Sequence, residues 1–185
     1  MLKKKKSKIL LLSSVLVFGI FLFNFITINR KYPDREIQTY TLGDKVEYSD
    51  CTITITGYRL FTKDEFLDKY SILSDSEDIG CEWNKLLIDL TIENNLDSKN
   101  YFETDNLLLE SGSWWNGLDM QTMKSINETL ENSTILLQAR QKVFLCLPYT
   151  LYEIQFKPMD WNSIENREFD LIASIYPITQ KIILN

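Results

Sequence analysis

Residues 85–95 read Lys-Leu-Leu-Ile-Asp-Leu-Thr-Ile-Glu-Asn-Asn, and the spacing of the apolar residues in this stretch decides the fold class. The apolar side chains recur at every second position: Leu86, Ile88, Leu90 and Ile92. The positions between them are polar except for Leu87. A period of two is typical of a β-strand with one buried face. The stretch therefore predicts a half-buried strand that ends at Asn94-Asn95, where asparagine favours a turn.

The same alternation recurs along the chain and predicts further strands. Three clear runs are Cys51–Thr56, Tyr152–Phe156 and Phe169–Ile175. Shorter candidates are Ile37–Leu42, Val46–Tyr48, Leu107–Glu110, Ile135–Gln138, Val143–Leu147 and Lys181–Leu184. Pro148 is expected to close a strand, since proline donates no backbone hydrogen bond. Short strands without long helices between them predict a mainly β fold, a mostly antiparallel β-sandwich.

One or two short helices are expected within this sandwich. Thr62 and Glu65 have the spacing of a capping box, in which each side chain bonds the other residue's backbone amide. A second helical stretch is predicted over Met120–Leu130, because Met123, Ile126 and Leu130 share one stripe.

The N-terminus carries a different signal, an uncharged and mostly apolar run at residues 9–28. As a helix it spans about 30 Å, the thickness of a bilayer's hydrocarbon core. No small-x-small cleavage site follows it, which favours a single uncleaved transmembrane signal anchor. A cleaved signal peptide and a buried helix are the alternatives. Five lysines precede the run, so residues 1–8 are expected in the cytoplasm and the C-terminal part outside.

This interpretation divides the chain into four parts. They are a cytoplasmic basic segment at 1–8, the anchor at 9–28, a linker at 29–36 and an extracellular domain at 37–185. The chain has 20 Lys and Arg and 26 Asp and Glu. Five lysines lie before the anchor, which leaves 15 basic and 26 acidic residues after it, a net charge of −11. This charge argues against nucleic acid as a partner.

The residue types argue against most catalytic chemistry. The sequence has no histidine, which removes Ser-His and Cys-His nucleophilic sites. The three cysteines lack the paired spacing of a zinc site, and no metal, cofactor or catalytic residue is predicted. Cysteines without an intramolecular disulfide are the favoured interpretation, and if an oxidising compartment does produce a disulfide, Cys51 with Cys81 is the expected pair.

Trp114 and Trp115 are the candidate partner-contact residues. Two adjacent tryptophans in an extended chain point to opposite sides, so one can enter the core while the other stays exposed. Exposed tryptophan is enriched at binding hot spots. The alternative is that both pack under the Met120–Leu130 segment.

Three stretches together resemble a known type of bacterial extracellular domain. They are YTLGDKVEYSDCTITITGYRL at 40–60, KLLIDLTIENNLDSK at 85–99 and ILLQARQKVFLCLPYTLYEIQF at 135–156. Their order is similar to that of the DUF4352 and DUF5028 families, with matches at Gly43-Asp44, Val46, Leu86–Asn95 and Leu147–Tyr149. The resemblance implies an immunoglobulin-like sandwich on a Gram-positive cell surface, in families whose biochemical role is mostly unknown.

These observations predict a non-catalytic binding module at the bacterial cell envelope. Its expected partners are the lipid bilayer, through the N-terminal helix, and another cell-envelope protein. An accessory subunit of a membrane complex is the first alternative. A carboxylate-dependent envelope hydrolase is the second, since the 26 acids single out no particular pair.

Overall fold

A computed structural model describes residues 2–31, 36–70, 80–127 and 133–184, with side chains from Ser14 onward. The chain divides into two compact units, Met1–Glu36 and Ile37–Asn185.

The first unit is one long helix, α1, at Leu2–Lys31. Its apolar residues occur on all sides rather than along one face. The segment Ser14–Lys31 is long and apolar enough to cross a membrane, and none of it is buried within the structure. The helix contains the predicted anchor at 9–28 and the first three residues of the predicted linker. Residues 32–35 of that linker lie outside the described part of the chain.

The second unit is built from short strands and shorter helices. The strands are β1 (Ile37–Tyr40), β2 (Val46–Tyr48), β3 (Cys51–Thr62), β4 (Trp83–Asn94), β5 (Asn100–Glu103), β6 (Leu108–Ser111), β7 (Trp114–Asn116), β8 (Thr134–Leu137), β9 (Lys142–Tyr152), β10 (Asp170–Ser174) and β11 (Thr179–Ile183). The helices are α2 (Lys63–Lys69), α3 (Met120–Ile126) and α4 (Pro158–Trp161), with 3₁₀ turns at Glu153–Gln155 and Ile164–Asn166. Residues 128–130 of the predicted second helix lie outside the described residues.

Two sheets enclose the main core. One has the strand order β1-β11-β10-β6-β7 and the other β2-β3-β4-β9, while β5 and β8 form a separate pair. All described strand pairs are antiparallel except β1 with β11. Buried side chains from both larger sheets form a single hydrophobic cluster, so they pack face to face. The predicted mainly β sandwich fold is confirmed.

Strand β4 lies between β3 and β9 and is buried on both faces. The row Leu86, Ile88, Leu90 and Ile92 enters the main core, as the alternation predicts. The opposite face is covered near its start, where Leu87 packs with Phe66 of α2 and Trp83 in a second cluster. This cover explains why Leu87 breaks the polar row.

The capping box that the sequence predicts at the start of α2 is formed. The Thr62 hydroxyl accepts from the Glu65 backbone amide at 3.4 Å. The Glu65 carboxylate accepts from the Thr62 amide and from the Thr62 hydroxyl, each at 2.9 Å, and these two bonds lower the pKa of Glu65.

The sequence interpretation of β9 is wrong in two places. Strand β9 continues through Pro148 to Tyr152, and residues 153–155 form a 3₁₀ turn instead of continuing a strand. Pro148 is tolerated because β9 is an edge strand. The Pro148 carbonyl accepts from the Asp119 amide at 2.9 Å, so it points away from β4. In an antiparallel ladder the nitrogen and the carbonyl of one residue face the same side, so the Pro148 nitrogen also points away from β4. Its missing N–H therefore removes no hydrogen bond from the β4–β9 ladder.

Asn94 ends β4 and ties it to the β8–β9 connection. Its fully buried side chain donates to the carbonyls of Ser98 and Gln138, each at 2.8 Å. The side-chain carbonyl of Asn94 accepts from the Leu96 backbone amide at 3.0 Å. One residue therefore satisfies three backbone groups from two segments.

Replacing Asn94 with alanine is expected to lower the free energy of unfolding by roughly 2–3 kcal/mol, because buried backbone groups lose their partners. Asn95→Ala is the matched control, since the Asn95 amide bonds an exposed side-chain carboxylate, that of Glu47. Thermal unfolding of the full chain in detergent measures both. Equal melting temperatures for the two variants would contradict this role of Asn94.

Candidate functional site

Trp114 and Trp115 lie on β7, the second strand of a tight hairpin at the edge of the five-stranded sheet. Gly112 makes this hairpin's turn with a φ of 62°, which glycine adopts without strain. The Trp114 ring packs on Phe156, with centroids 5.1 Å apart, and on Phe169. Trp115 faces the other way and is 38% exposed. The pair is thus split between core and surface, and the alternative that both pack under α3 does not hold.

Charged side chains surround Trp115 on the outer face of the sheet. Trp115 pairs with Glu110 on β6, and Glu110 pairs in turn with Asp170 on β10. Lys181 Nζ lies 2.9 Å from Asp170 Oδ2 and 3.4 Å from Glu110 Oε2. The hydrogen bond to Asp170 is the main cause of a raised pKa of Lys181, and partial burial opposes it. We call Trp115, Glu110, Asp170 and Lys181 the Trp115 surface.

Arg167 holds the hairpin in place from the core side. Its guanidinium donates to the Ser111 hydroxyl at 2.7 Å and to the Ser111 carbonyl at 3.1 Å. It also lies over the Phe156 ring, 5.2 Å from the centroid. Because the Phe156 ring also packs against Trp114, these contacts fix which tryptophan is buried and which is exposed.

A buried ion pair that the sequence interpretation missed lies on the outer face of β4. Lys85 is fully buried, and its ammonium donates to the Asp119 carboxylate. It also donates to the hydroxyls of Thr150, at 2.7 Å, and Thr122, at 3.1 Å. Both hydroxyls donate in turn to Asp119 Oδ2, at 2.8 Å and 2.7 Å.

Asp119 also begins α3. Its other carboxylate oxygen accepts from the backbone amides of Gln121 and Thr122, the arrangement of a helix N-cap. Burial works to raise the pKa of Asp119, but the hydrogen bond from Lys85, the Thr122 amide and the Lys85 charge outweigh it. The result is a pKa of about 2. Asp119 is therefore ionised near neutral pH, and the pair joins α3 to the sheet.

Aromatic rings complete the surroundings of the ammonium. Lys85 Nζ lies 5.1 Å from the centroid of Trp83 and 5.6 Å from that of Phe66. Cation–π attraction of this kind strengthens when the charge is removed from water. The sequence did contain a signal for this burial. Leu87 is an apolar residue on the otherwise polar face of β4, which indicates that the face is covered there, and Lys85 lies on the same face.

The structure does not bring the predicted disulfide pair together. Cys51 begins β3 and pairs with Asn94 at the end of β4, whereas Cys81 precedes the start of β4. The 12 residues of that strand separate them by roughly 35 Å, far beyond the ~7 Å between Cα atoms that a disulfide spans. All three cysteines are free. Burial, with a contribution from Asp89, raises the pKa of Cys146 to about 12.

No group of three or more His, Cys, Asp or Glu side chains within the described ranges is arranged to hold a metal ion.

Comparison with known families places the second unit. The family model described as "Domain of unknown function (DUF5028)" matches residues 37–180. The chain belongs to the DUF5028 family. The DUF5028 part of the resemblance seen in the sequence is confirmed, and its DUF4352 part stays a prediction.

Solved structures similar to this DUF5028 protein come from several bacteria. The yjhA protein from Bacillus subtilis is 12% identical, with 79% of this chain and 99% of that chain covered and a TM-score of 0.47. An uncharacterised β-sandwich protein from Clostridium difficile is 7% identical, with 82% and 97% covered and a TM-score of 0.47. A functionally unknown protein from Listeria monocytogenes is 15% identical, with 69% and 67% covered and a TM-score of 0.45. No curated protein matches the chain.

Proposed function

We propose that this DUF5028 protein is a non-catalytic binding module held on the outer face of the cell membrane by α1. The observation that carries the proposal is the exposure of α1, whose large apolar side chains between Val15 and Ile28 are 43–70% exposed. An apolar helix without a polar side is unfavourable in water and stable in lipid. The β domain, in contrast, encloses a core of its own.

The charge distribution supports an outward-facing domain. Positive residues are retained on the cytoplasmic side of a membrane, and the five lysines of residues 1–8 precede the apolar run at residues 9–28. Arg30 and Lys31 follow that run, so the bias rests on five charges against two. Residues 1–8 accordingly lie in the cytoplasm and residues 37–185 outside.

The proposed partner is another envelope protein that contacts the Trp115 surface. A partly exposed tryptophan beside ion-paired side chains has the composition of an interface centre with a polar rim. Trp115 is kept outward by the burial of Trp114 beneath it, so it needs no rearrangement to make contact.

In-cell crosslinking followed by mass spectrometry tests this partner. Trp115→Ala is expected to remove the crosslinked partner without changing the melting temperature, because the side chain is outside the core. Tyr101→Ala is the matched control, an exposed aromatic on β5, which is not part of the five-stranded sheet. A partner retained in Trp115→Ala, or no specific partner at all, would count against the proposal.

A further inference from the structure

An apolar turn joins β10 to β11. Residues 175–178 read Ile-Tyr-Pro-Ile, and the whole stretch 171–180 contains no charged residue. Ile175, Tyr176 and Pro177 are exposed, Tyr176 to 86%. Surface turns are usually built from Gly, Asn, Asp and Ser. A group of exposed apolar side chains at a turn indicates instead a surface that contacts another apolar phase.

A further exposed apolar residue, Ile37, lies at the same end of the five-stranded sheet. Strand β1 runs parallel to β11, and Ile37 pairs with Thr179, the first residue after the turn. The Thr179 hydroxyl donates to the Ile175 carbonyl at 3.1 Å, which holds the turn against the start of β11. We call Ile37, Ile175, Tyr176 and Pro177 the apolar tip.

The length of the chain before Ile37 keeps the apolar tip near the end of the N-terminal apolar run. That run ends at residue 28, and α1 continues to Lys31. Three helical steps of about 1.5 Å and six steps of at most about 3.6 Å separate residue 28 from Ile37, roughly 26 Å in all. A domain of about 150 residues is roughly 40 Å across. The tip is therefore held close to any membrane that the apolar run crosses.

The charge of the β domain indicates which kind of lipid contact the tip makes. Residues 29–185 carry a net charge of −11, and Glu36 directly precedes Ile37. Anionic headgroups consequently repel the domain, and the attraction has to come from apolar side chains. Tyrosine is enriched at the boundary between headgroups and acyl chains, where its ring is in lipid and its hydroxyl in water. A weak contact suffices, because the anchor keeps the tip at a high effective concentration near the lipid.

We infer that the apolar tip inserts into the interface of the membrane that α1 spans and docks the β domain on the lipid surface. The inference rests on the proposed function, in which α1 is the anchor. Strand β1 and strand β7 form opposite edges of the five-stranded sheet. Docking through the tip beside β1 therefore leaves the Trp115 surface on β7 open for a protein partner.

Photo-crosslinking of the full chain in phosphatidylcholine vesicles tests the inference. The photoreactive residue p-benzoylphenylalanine is introduced in three separate variants, at Tyr176 in the tip, at Met159 as the control and at Leu22 in α1. After illumination, mass spectrometry measures the fraction of each chain that is bonded to lipid. The lipid adduct at position 176 is expected to be at least about fivefold more abundant than the adduct at position 159, because only the tip enters the interface.

Met159 is a matched control because it is as exposed as Tyr176, at 84%, but lies at the other end of the sheet. Its neighbour Asp160 lies 3.8 Å from Arg167, which bonds Ser111. Ser111 ends β6, and β6 runs antiparallel to β10, so this end of the sheet is remote from the tip.

The variant at Leu22 separates failure of the inference from failure of the proposed anchor. A lipid adduct at position 22 with equal, low yields at positions 176 and 159 would overturn the inference and leave the anchor in place. No adduct at position 22 would contradict the anchor itself, and the inference with it. A covalent dimer of two chains at position 176, without lipid adduct, would assign the tip to a second copy and overturn lipid docking.

A charge placed beside the photoreactive position gives an independent measurement. Ile175→Asp and Ile37→Asp should each lower the lipid adduct at position 176 at least about fivefold, since an apolar side chain is replaced by one that stays in water. Ile154→Asp changes an exposed isoleucine in the 3₁₀ turn after β9 and should leave the adduct unchanged. All three side chains are exposed, so the melting temperature should not change. Undiminished adduct in both tip variants would overturn the inference.

Discussion

The Asp119→Ala variant is expected to unfold with a free energy about 3–5 kcal/mol lower than that of the unchanged chain. The loss arises because the Lys85 ammonium stays fully buried without its carboxylate partner. The N-cap of α3 is lost with it, so the helix that covers this end of β4 is weakened. For a domain of about 150 residues, each 1 kcal/mol shifts the melting temperature by roughly 2–4 °C. Thermal unfolding of the full chain in detergent therefore measures a shift of about 10 °C.

Two control variants identify the buried charge as the cause. Asp97→Ala removes a salt bridge with Arg140 in which both side chains are mostly exposed, and it should change the stability little because water screens the pair. Combining Lys85→Met with Asp119→Ala removes both charges and should recover much of the lost stability, since apolar groups can replace a buried pair. If Asp119→Ala and Asp97→Ala shift the melting temperature equally, Lys85 and Asp119 do not form the buried pair described above.

Repeating the thermal unfolding at decreasing pH gives a second readout. The pKa of Asp119 is about 2 in the folded chain against 3.8 for an unperturbed aspartate. A lowered pKa means that the carboxylate stabilises the fold fully above pH 4, and that this contribution disappears as the pH falls through about 2. The Asp119→Ala variant should lack this component of the acid dependence. Identical profiles for the two chains would contradict the assignment.

Placing arginine at both Phe18 and Phe21 is expected to move the protein from the membrane fraction to the soluble fraction. Both positions lie near the middle of the apolar run, where arginine costs about 3 kcal/mol on insertion. Two such residues outweigh the gain from the remaining apolar side chains. Cell fractionation followed by detection of the intact chain measures the distribution.

The control for this variant changes the same positions without adding charge. Phe18→Leu combined with Phe21→Leu keeps the segment apolar and should leave the protein in the membrane fraction. A double arginine variant that fractionates with the membrane would show that α1 is not the element that attaches the chain there.

The period-two spacing of apolar residues predicted the strands that form the sandwich, because that signal is local. Leu86, Ile88, Leu90 and Ile92 enter the core as expected. The spacing could not show which polar faces are covered, since the cover comes from α2 and α3. Leu87, an apolar residue among polar ones, is the residue that indicates this cover in the sequence. Ile172 on β10 lies at an outer position of the Phe169–Ile175 alternation and is likewise fully buried.

Contacts between residues far apart in sequence were beyond a local pattern. Lys85 meets Asp119 across 34 residues and Thr150 across 65, and only the register of β4 with β9 brings them together. The register of β3 with β4 separates Cys51 from Cys81, which the sequence alone could not reveal. The opposite orientations of Trp114 and Trp115 were easier to predict, because adjacent residues of any extended segment face opposite ways.

The central claim, an N-terminal anchor with the β domain outside, is tested most directly by labelling intact cells with a membrane-impermeant amine reagent and mapping the modified lysines by mass spectrometry. The account predicts labelling of the exposed residues Lys45, Lys99 and Lys157 in intact cells. The five lysines of residues 1–8 should be recovered in the same membrane-bound chain and should become labelled only after permeabilisation. Labelling of the five lysines of residues 1–8 in intact cells with protection of Lys45, Lys99 and Lys157, or a membrane-bound chain that lacks residues 1–28, would contradict it.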